Sequence, residues 1–392
     1  MTHNRPIAVI HNRYLETGGE DAAVAAHVAL LKANECPVVQ FETSNTELVP
    51  LRAVSKAAVT FWNGRAYREL RAFFARERPR VAHFHNTFPF LSPAVYTAAT
   101  RERIPVVQSL HNYRLVCPNA LLFRDGHPCE DCLEKRVKWP GVTHACYRRS
   151  HLATAITAGM LAAHELLGTW TSSVHRYIAF TEFARRKFIR GGLPAERIVV
   201  NPPFLAVDPG RGEHSAGFAL FVGRLSPEKG IGTLLDAWQK AGRNDRTLKI
   251  VGSGPLEATN IRSVPGVEWL GQRSNTQVLS LMREAAFLVF PSECYEAFPH
   301  TLLEALASGL PVIVSNHGAM AEIVSHRASG YHFVSGDAVD LARALDWGFD
   351  HPLELADMGA LARAEFETKY SAALAYGGLL SVYSQAEDLA KA

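Results

Sequence analysis

A chain of 392 residues, 47% hydrophobic and 20% charged, carries enough apolar material for two ordinary cores, so two domains are the expectation. No apolar run approaches the ~18 to 20 residues of a spanning helix, and MTHNRPIAVIHNRYL lacks the basic, apolar, small-residue order of a signal peptide, so a cytosolic protein is expected. The net charge of +3 hides a split, with 26 Lys and Arg against 16 Asp and Glu in residues 1–205 and 15 against 22 in the rest, as two domains with different partners, or unevenly placed solubilising charge, would give.

Along the chain, the strand candidates are IAVIH, VVQFE, VAHFH, VVQSL and YIAFT, then ALFVG, LKIVG, FLVFP and VIVSN. Each is short and rich in β-branched or aromatic residues, and most are followed by Gly, Pro, Ser or Asn and then a helical period. That alternation predicts βαβ units with parallel strands, in two doubly wound Rossmann-like α/β domains. The breaks in NPPFLAVDPGRGEHSAG divide them into 1–205 and 206–370, leaving a helix over 371–392 that is expected to return to the first domain. Ligands of such sheets lie beyond the carboxyl ends of the strands, so chemistry is sought there.

After IAVIH, Gly18 and Gly19 open a helix; paired glycines let backbone amides approach an anion at a helix amino end, although they also make plain turns. The G-x-G-x-x-G fingerprint is missing, which disfavours a nicotinamide oxidoreductase. Residues 52–80 then interleave Arg52, Lys56, Arg65, Arg68, Arg71, Arg76, Arg78 and Arg80 with Phe61, Trp62, Tyr67, Phe73 and Phe74. Such a surface can rest on anionic lipid, each cation contributing up to ~1 kcal/mol, or be a solvated basic helix. In VAHFHNTFPF, His83 reads as a core histidine, whereas His85 and Asn86 come later and are expected to face an acceptor.

Four cysteines follow within residues 112–150: Cys117, Cys129, Cys132 and Cys146. A Cys-x-x-Cys pair with two outlying thiols, in a stretch of little regular period, has the count and spacing of a structural zinc site. His144 is an alternative ligand, an iron–sulfur cluster a minor option, and two disulfides the rival that a cytosolic location disfavours. Cys36 and Cys294 read as buried or incidental thiols.

In the second half, ALFVG leads into RLSPEKG, placing Arg224 and Lys229 at a strand-to-helix turn where a bound anion would favour them, though a solvated turn reads the same way. FLVF leads into ECYEAFPHTLLEALASG. Were residues 296–304 all helical, eight steps would set Glu296 and Glu304 about 80° apart. Pro299 suits a first helical turn, so the helix is expected to begin there, with Glu296 in the loop before it and Glu304 inside. The amides of His300, Thr301 and Leu302 are then open to a diphosphate, while each carboxylate takes hydroxyls from one end of a nucleotide sugar. Dipole complementation is the bland account of Glu296; Glu304, among Leu302, Leu303, Ala305 and Leu306, needs a partner.

GRLSPEKGIGTLLDA followed by PSECYEAFPHTLLEALASGLPVIVS, together with the GG loop, VAHFHN and SLHNYR, resembles the retaining glycosyltransferases of family 4, which have the GT-B fold. The resemblance implies two Rossmann-like domains facing across a cleft and metal-independent transfer of a hexose, with retention, from a nucleotide-diphosphate sugar. The acceptor it leads one to expect is a hydroxyl of a glycan or lipid-linked glycan in surface polysaccharide or glycoconjugate synthesis, with the protein cytoplasmic or peripheral on the inner face of a membrane. It implies that Glu296 contacts the donor sugar, Glu304 the ribose, and Arg224 and Lys229 the diphosphate, with His111 at the reacting centre, Gly18 and Gly19 near the phosphates, and further donor contacts from Phe298, His300 and Thr301. No catalytic divalent metal and no nucleic-acid partner are expected. Where the family commonly reads E-G-F-G, this chain has Glu296, Ala297, Phe298 and Pro299, and the proline removes an amide that could have met the donor. A non-catalytic nucleotide-sugar-binding subunit, which would bind without turnover, and a GT-B epimerase are the alternatives.

Overall fold

The computed structural model describes residues 5–15, 18–243, 245–256 and 261–391. Residues 16 and 17 of the loop before Gly18, the opening four residues and Ala392 lie outside the described residues. The chain divides into two compact units, one of Met1–Leu121, Glu130–Ala206 and Ala372–Ala392, the other of Leu122–Cys129 and Val207–Ser371.

The first unit is built on β1 (Ile7–Arg13), β2 (Val38–Ser44), β3 (Val81–Phe84), β4 (Val106–Ser109), β7 (Arg176–Ala179) and β8 (Ile198–Val200); the small hairpin of β5 (Phe123–Arg124) and β6 (His127–Pro128), which comes between β4 and β7 in the chain, groups with the second unit. The six-stranded sheet runs β2-β1-β3-β4-β7-β8, every pairing parallel. Its central strands are apolar on both faces, as a parallel sheet covered by helices requires, and VAHF is buried throughout. The helix Ala372–Lys391 packs onto this sheet through Ala375, Leu379, Val382, Tyr383 and Ala386, a stripe at helical spacing that meets Ile7, Val9, Val28 and Val107. Each fully buried aliphatic side chain there contributes about 1.5–3 kcal/mol.

The second unit repeats the plan with β9 (Phe218–Val222), β10 (Thr247–Val251), β11 (Val267–Gly271), β12 (Phe287–Phe290), β13 (Val312–Ser315) and β14 (Gly330–Phe333), ordered β11-β10-β9-β12-β13-β14 and again parallel. Its core gathers Phe221, Leu234, Trp238, Phe287, Val289, Leu345 and Phe349. Gly348 is needed for that packing, because a Cβ there would lie 3.0 Å from the Phe287 ring. Among the described residues, no helix is long and apolar enough to cross a membrane.

In both sheets the strand order reverses once, between β1 and β3 and between β9 and β12. Chains leaving the carboxyl ends of those strand pairs diverge to opposite sides and leave a crevice there.

Candidate active site

At the crevice of the second unit, β9 delivers Gly223, Arg224 and, after a short turn, Lys229, while β12 delivers Ser292, Cys294 and Glu296. The turn closes on Gly230, held at φ +69° with the Pro291 carbonyl oxygen 1.9 Å from where a Cβ would stand, so only glycine lets the two strand ends come this close. Lys229 Nζ donates to Glu296 Oε1 at 2.5 Å, and Ser292 Oγ donates to the same oxygen at 2.8 Å. Burial alone would lower the Lys229 ammonium, but the Glu296 carboxylate, with Cys294 and Glu228 beside it, holds it well above its ordinary value. Burial and the same carboxylate push the Cys294 thiol up to about 12, so it stays protonated. Arg224 is exposed, and among the described residues no carboxylate pairs with it.

The helix His300–Ser308 begins one residue after Pro299, which is its extended cap at φ −82°, ψ 107°. Leu302 N donates to the Pro299 carbonyl at 3.0 Å, so its amide is not open as expected; the cap bends back on the first turn. Among the described residues, the amides of His300 and Thr301 meet no acceptor, which leaves two donors at a positive helix end. Glu304 takes the Asn275 side-chain amide at 2.8 Å, and burial pushes its carboxyl up against that hydrogen bond. Phe298 is only 8% exposed and its ring centroid is 5.6 Å from that of Tyr370, so it anchors the loop rather than presenting a face to a ligand.

Two groups here escaped the motif reading. His317 caps the helix Gly318–Ile323, its Nε2 3.0 Å from the Ser292 carbonyl oxygen and its ring 5.6 Å from that of Tyr295. Asn275 comes from a neighbouring helix and becomes visible only when the chain is folded. The signal for His317 lay in VIVSNHG, a strand end followed by a polar residue and a glycine.

At the crevice of the first unit, a small pocket of about 40 Å³ is lined by Glu20, His85, Asn86, His111, Asn112 and Arg114 among others. His85 and Asn86 therefore do reach it, yet both are nearly buried and engaged within the fold. His85 Nδ1 lies 2.8 Å from His111 Nε2, while Asn86 donates to the Asn12 carbonyl at 2.6 Å and accepts from Phe88 N at 2.9 Å. His83 is a core histidine, with Nδ1 on the Tyr383 hydroxyl and Nε2 on Ser109. The more open polar side chains of the pocket are His111, Asn112, Arg114 and Glu20. Arg114 stacks over Phe88 and Tyr147, 4.4 and 4.8 Å from the ring centroids, and burial lowers its pKa.

Glu20 is the surprise of this pocket. Burial, with Asp21 beside it, pushes its carboxyl up to about 8 against hydrogen bonds from Tyr14 and Asn112. In sequence it reads as ordinary acid at a helix start. Gly18 N donates to Asp21 Oδ2 at 2.9 Å, so that amide is closed to a phosphate, and the first turn carries two acids; Gly19 is what remains of the expected contact. Gly18 itself sits at φ −130° with nothing within 4 Å of a would-be Cβ, so the fold places no demand for glycine there.

In the cysteine-rich segment, Cys117 and Cys132 are buried and Cys129 and Cys146 half-buried, while His144 is exposed. Lys138 is buried beside Cys132 and Cys117 and donates to the Lys135 carbonyl at 2.6 Å; burial lowers it, against Glu165 and the two thiols. Of the basic stretch, Arg65, Arg71, Arg76 and Arg80 pair with Glu69, Glu102, Glu77 and Glu387, and Phe73 and Phe74 belong to the core. Arg52, Arg68 and Arg78 remain exposed, with Val54 and Trp62.

Two families match this chain: "Glycosyl transferase 4-like domain" over residues 17–203 and "Glycosyl transferases group 1" over residues 212–365. The amylovoran biosynthesis glycosyltransferase AmsK of Erwinia amylovora is 29% identical over 50% of this chain and 53% of its own. The phosphatidyl-myo-inositol mannosyltransferase of Mycobacterium leprae is 30% identical over 50% and 55%. The chain thus spans about half the length of the curated relatives it matches. In fold, it is similar to the Anabaena protein Alr3699/HepE, solved with UDP-glucose, at a TM-score of 0.67 and 16% identity over 97% of this chain and 99% of that one.

Proposed function

Because this chain belongs to the GT-B glycosyltransferases of the family 4 type, we propose that it moves a hexose from a nucleotide-diphosphate sugar to a hydroxyl of a glycan or lipid-linked glycan, with retention of configuration and without a catalytic metal. The observation that carries this reading is the grouping at the second unit's crevice: Lys229 on Glu296, exposed Arg224, and the two open amides of His300 and Thr301. Four positive or partly positive groups gathered at a strand switch point suit a diphosphate. Glu296 then takes sugar hydroxyls and Glu304 the ribose.

In the transfer, the bond from C1 of the sugar to the β-phosphate oxygen breaks, its electron pair staying on the phosphate, and a bond from C1 to the acceptor oxygen forms. The acceptor's proton leaves with the phosphate. Negative charge builds on the departing oxygen, and preorganised cations and amides that meet it lower the barrier. Arg224 and Lys229 do what a divalent ion does elsewhere. His111 is assigned to the reacting end of the sugar, and the open space around Gly18 supports close approach of a ligand to that turn.

The acceptor reading follows the AmsK and mannosyltransferase relatives, whose names place them in amylovoran biosynthesis and in mannosyl transfer to phosphatidyl-myo-inositol. Exposed Arg52, Arg68, Arg78 and Trp62 support transient contact with anionic lipid at the inner face of a membrane, and flotation with anionic but not neutral liposomes tests it. Zinc on Cys117, Cys129, Cys132 and Cys146 rests on the count and spacing of the thiols, which among the described residues are not gathered as a three-ligand group; the buried Lys138 ammonium beside Cys132 and Cys117 would serve as a counter-ion to thiolates there. The deciding experiment incubates the protein with a panel of nucleotide sugars, UDP-glucose first, with and without EDTA. NMR of the product then reads the anomeric configuration. Inverted product, or activity abolished by EDTA and restored by magnesium, overturns the mechanism.

A further inference from the structure

The first unit buries three imidazoles contributed by two elements and the loop after one of them. His27 lies on the helix Gly19–Ala33, His83 in β3 and His85 just past its end, with exposures of 6%, 0% and 4%. One ring nitrogen of each lies within 4.8 Å of those of the other two. His83 and His85 are stacked with centroids 4.4 Å apart, and His27 stands edge-on at 4.6 and 5.1 Å. The Tyr383 hydroxyl, from the helix Ala372–Lys391, is 2.9 Å from both His27 Nε2 and His83 Nδ1.

A self-contained hydrogen-bond network would leave no nitrogen over. A neutral imidazole has one donor and one acceptor nitrogen, and both need partners when buried. His83 satisfies both, on Tyr383 and Ser109. His85 does not: Nδ1 meets His111, but Nε2 is fully buried with no hydrogen-bond partner. An orphan of this kind costs about 1–3 kcal/mol, which an apolar side chain in its place would avoid.

We propose that His27, His83 and His85, with the Tyr383 oxygen as fourth ligand, form a binding site for a divalent transition-metal ion of the zinc class. Imidazole donors with one phenolic oxygen suit zinc, copper or nickel rather than magnesium or calcium. Zinc requires nitrogens at ~2.0–2.1 Å, so binding would reorient the stacked His83 and His85 rings and draw the three nitrogens, now within 4.8 Å of one another, onto one ion. The outer contacts already have the form of a ligand set, because Ser109 holds the far nitrogen of His83 and His111 that of His85. Metal binds the neutral form of each imidazole. Binding exchanges the phenol's proton, which passes to bulk solvent, for the ion; the phenolate offsets one of the ion's two charges, against the burial that holds the phenol well above its ordinary pKa in the empty site. With His85 Nε2 on the metal, its Nδ1 carries the hydrogen and donates to His111 Nε2, so His111 holds its own proton on Nδ1. The ion clamps the C-terminal helix to the sheet and fixes one tautomer in the pocket. None of this depends on the transferase reading.

The test strips the full-length protein with chelator and titrates it with cobalt(II) chloride. Wild-type protein is expected to take up one more equivalent than His85→Gln or His27→Gln. The part of the spectrum lost in those variants should show visible d–d absorption without a sulfur-to-cobalt charge-transfer band, which separates this site from the cysteines. Tyr383→Phe should keep the ion, bind it more weakly and shift the band. Equal uptake by wild type and both histidine variants, no uptake at all, or sulfur signatures in all of the bound cobalt overturns the proposal. Should the glutamine variants fail to fold by circular dichroism, X-ray absorption of zinc-loaded wild type decides: more than one imidazole per zinc supports the site, and a sulfur shell with one imidazole or none, all that the cysteine site with His144 could give, excludes it.

Discussion

Lys229 and Glu296, sixty-seven positions apart in the chain, form one ion pair at the switch point of the second sheet, with Nζ 2.5 Å from Oε1. Motif reading assigns them separate tasks, phosphate for the lysine and sugar for the acid. Their pairing makes each the other's positioning group, so on the proposed function a donor phosphate would draw on an ammonium already aimed by the carboxylate. Lys229→Ala should reduce kcat by more than about 10²-fold, the scale for losing a preorganised charge donor. Glu296→Gln keeps the shape but releases the ammonium, and should raise KM for the donor as well. Steady-state kinetics on both variants checks this, and undiminished turnover in Lys229→Ala removes the phosphate role.

Glu304 is held by Asn275 and lifted by burial, so its carboxylate is easier to protonate than a free glutamate. If it accepts ribose hydroxyls, nucleotide binding should weaken as pH falls toward that raised pKa. Glu304→Gln should bind less tightly, by about tenfold for one charged hydrogen bond, and show a flatter profile. Calorimetric titration with UDP from neutral to mildly acidic pH reads both.

Glu20 makes stability depend on pH in a defined direction. Its carboxyl goes from an ordinary 4.5 in the unfolded chain to about 8 in the fold, so between those values the folded state holds a proton that the unfolded state has lost. Stability is therefore full below the lower value and falls as pH rises across the window. Thermal melts of wild type and Glu20→Gln should diverge over that range, the variant losing less on going from acid to neutral pH. Parallel curves would place the titration elsewhere.

Two glycines separate fold from ligand. Gly230→Ala forces a left-handed residue and a methyl group onto the Pro291 carbonyl, and should lower Tm severely, since strain of this type costs of order 1–3 kcal/mol before the clash is counted. Gly18→Ala meets open space at an ordinary φ, so its melting should match wild type while donor turnover falls. A Gly18→Ala enzyme with full activity would mean that nothing approaches that turn.

The cysteine segment gives a prediction that needs no substrate. Protein purified without chelator should contain zinc, and prolonged chelation should lower its Tm. A zinc content near zero dismisses the cysteine site.

Sequence patterning reached all the strands that are buried on both faces, because IAVIH, VAHFH, FLVFP and VIVSN leave no other reading once glycine, proline or asparagine follows them. It passed over Ile198–Val200, Val267–Gly271 and Gly330–Phe333, which lie at sheet edges and are half-exposed, so their apolar signal is diluted. The start of the 300–308 helix was legible from Pro299, since proline acts through its own ring. The Lys229–Glu296 pair, the Asn275 contact and the leftover nitrogen of His85 were not, because each depends on which strands become neighbours. Glu20 shows the same limit: an acid at a helix start looks the same in sequence whether solvated or shut in a pocket.

The helix Ala372–Lys391 has a consequence for synthesis. Its Leu379, Val382 and Tyr383 complete the core of a sheet whose strands all precede residue 207. On the ribosome, about 170 residues separate the last of those strands from the helix, roughly 9 to 34 s at ordinary elongation rates. Throughout that interval the nascent first unit exposes bare apolar strands while the intervening unit is completed, so the stage most exposed to chaperones and aggregation is built into the order of the chain.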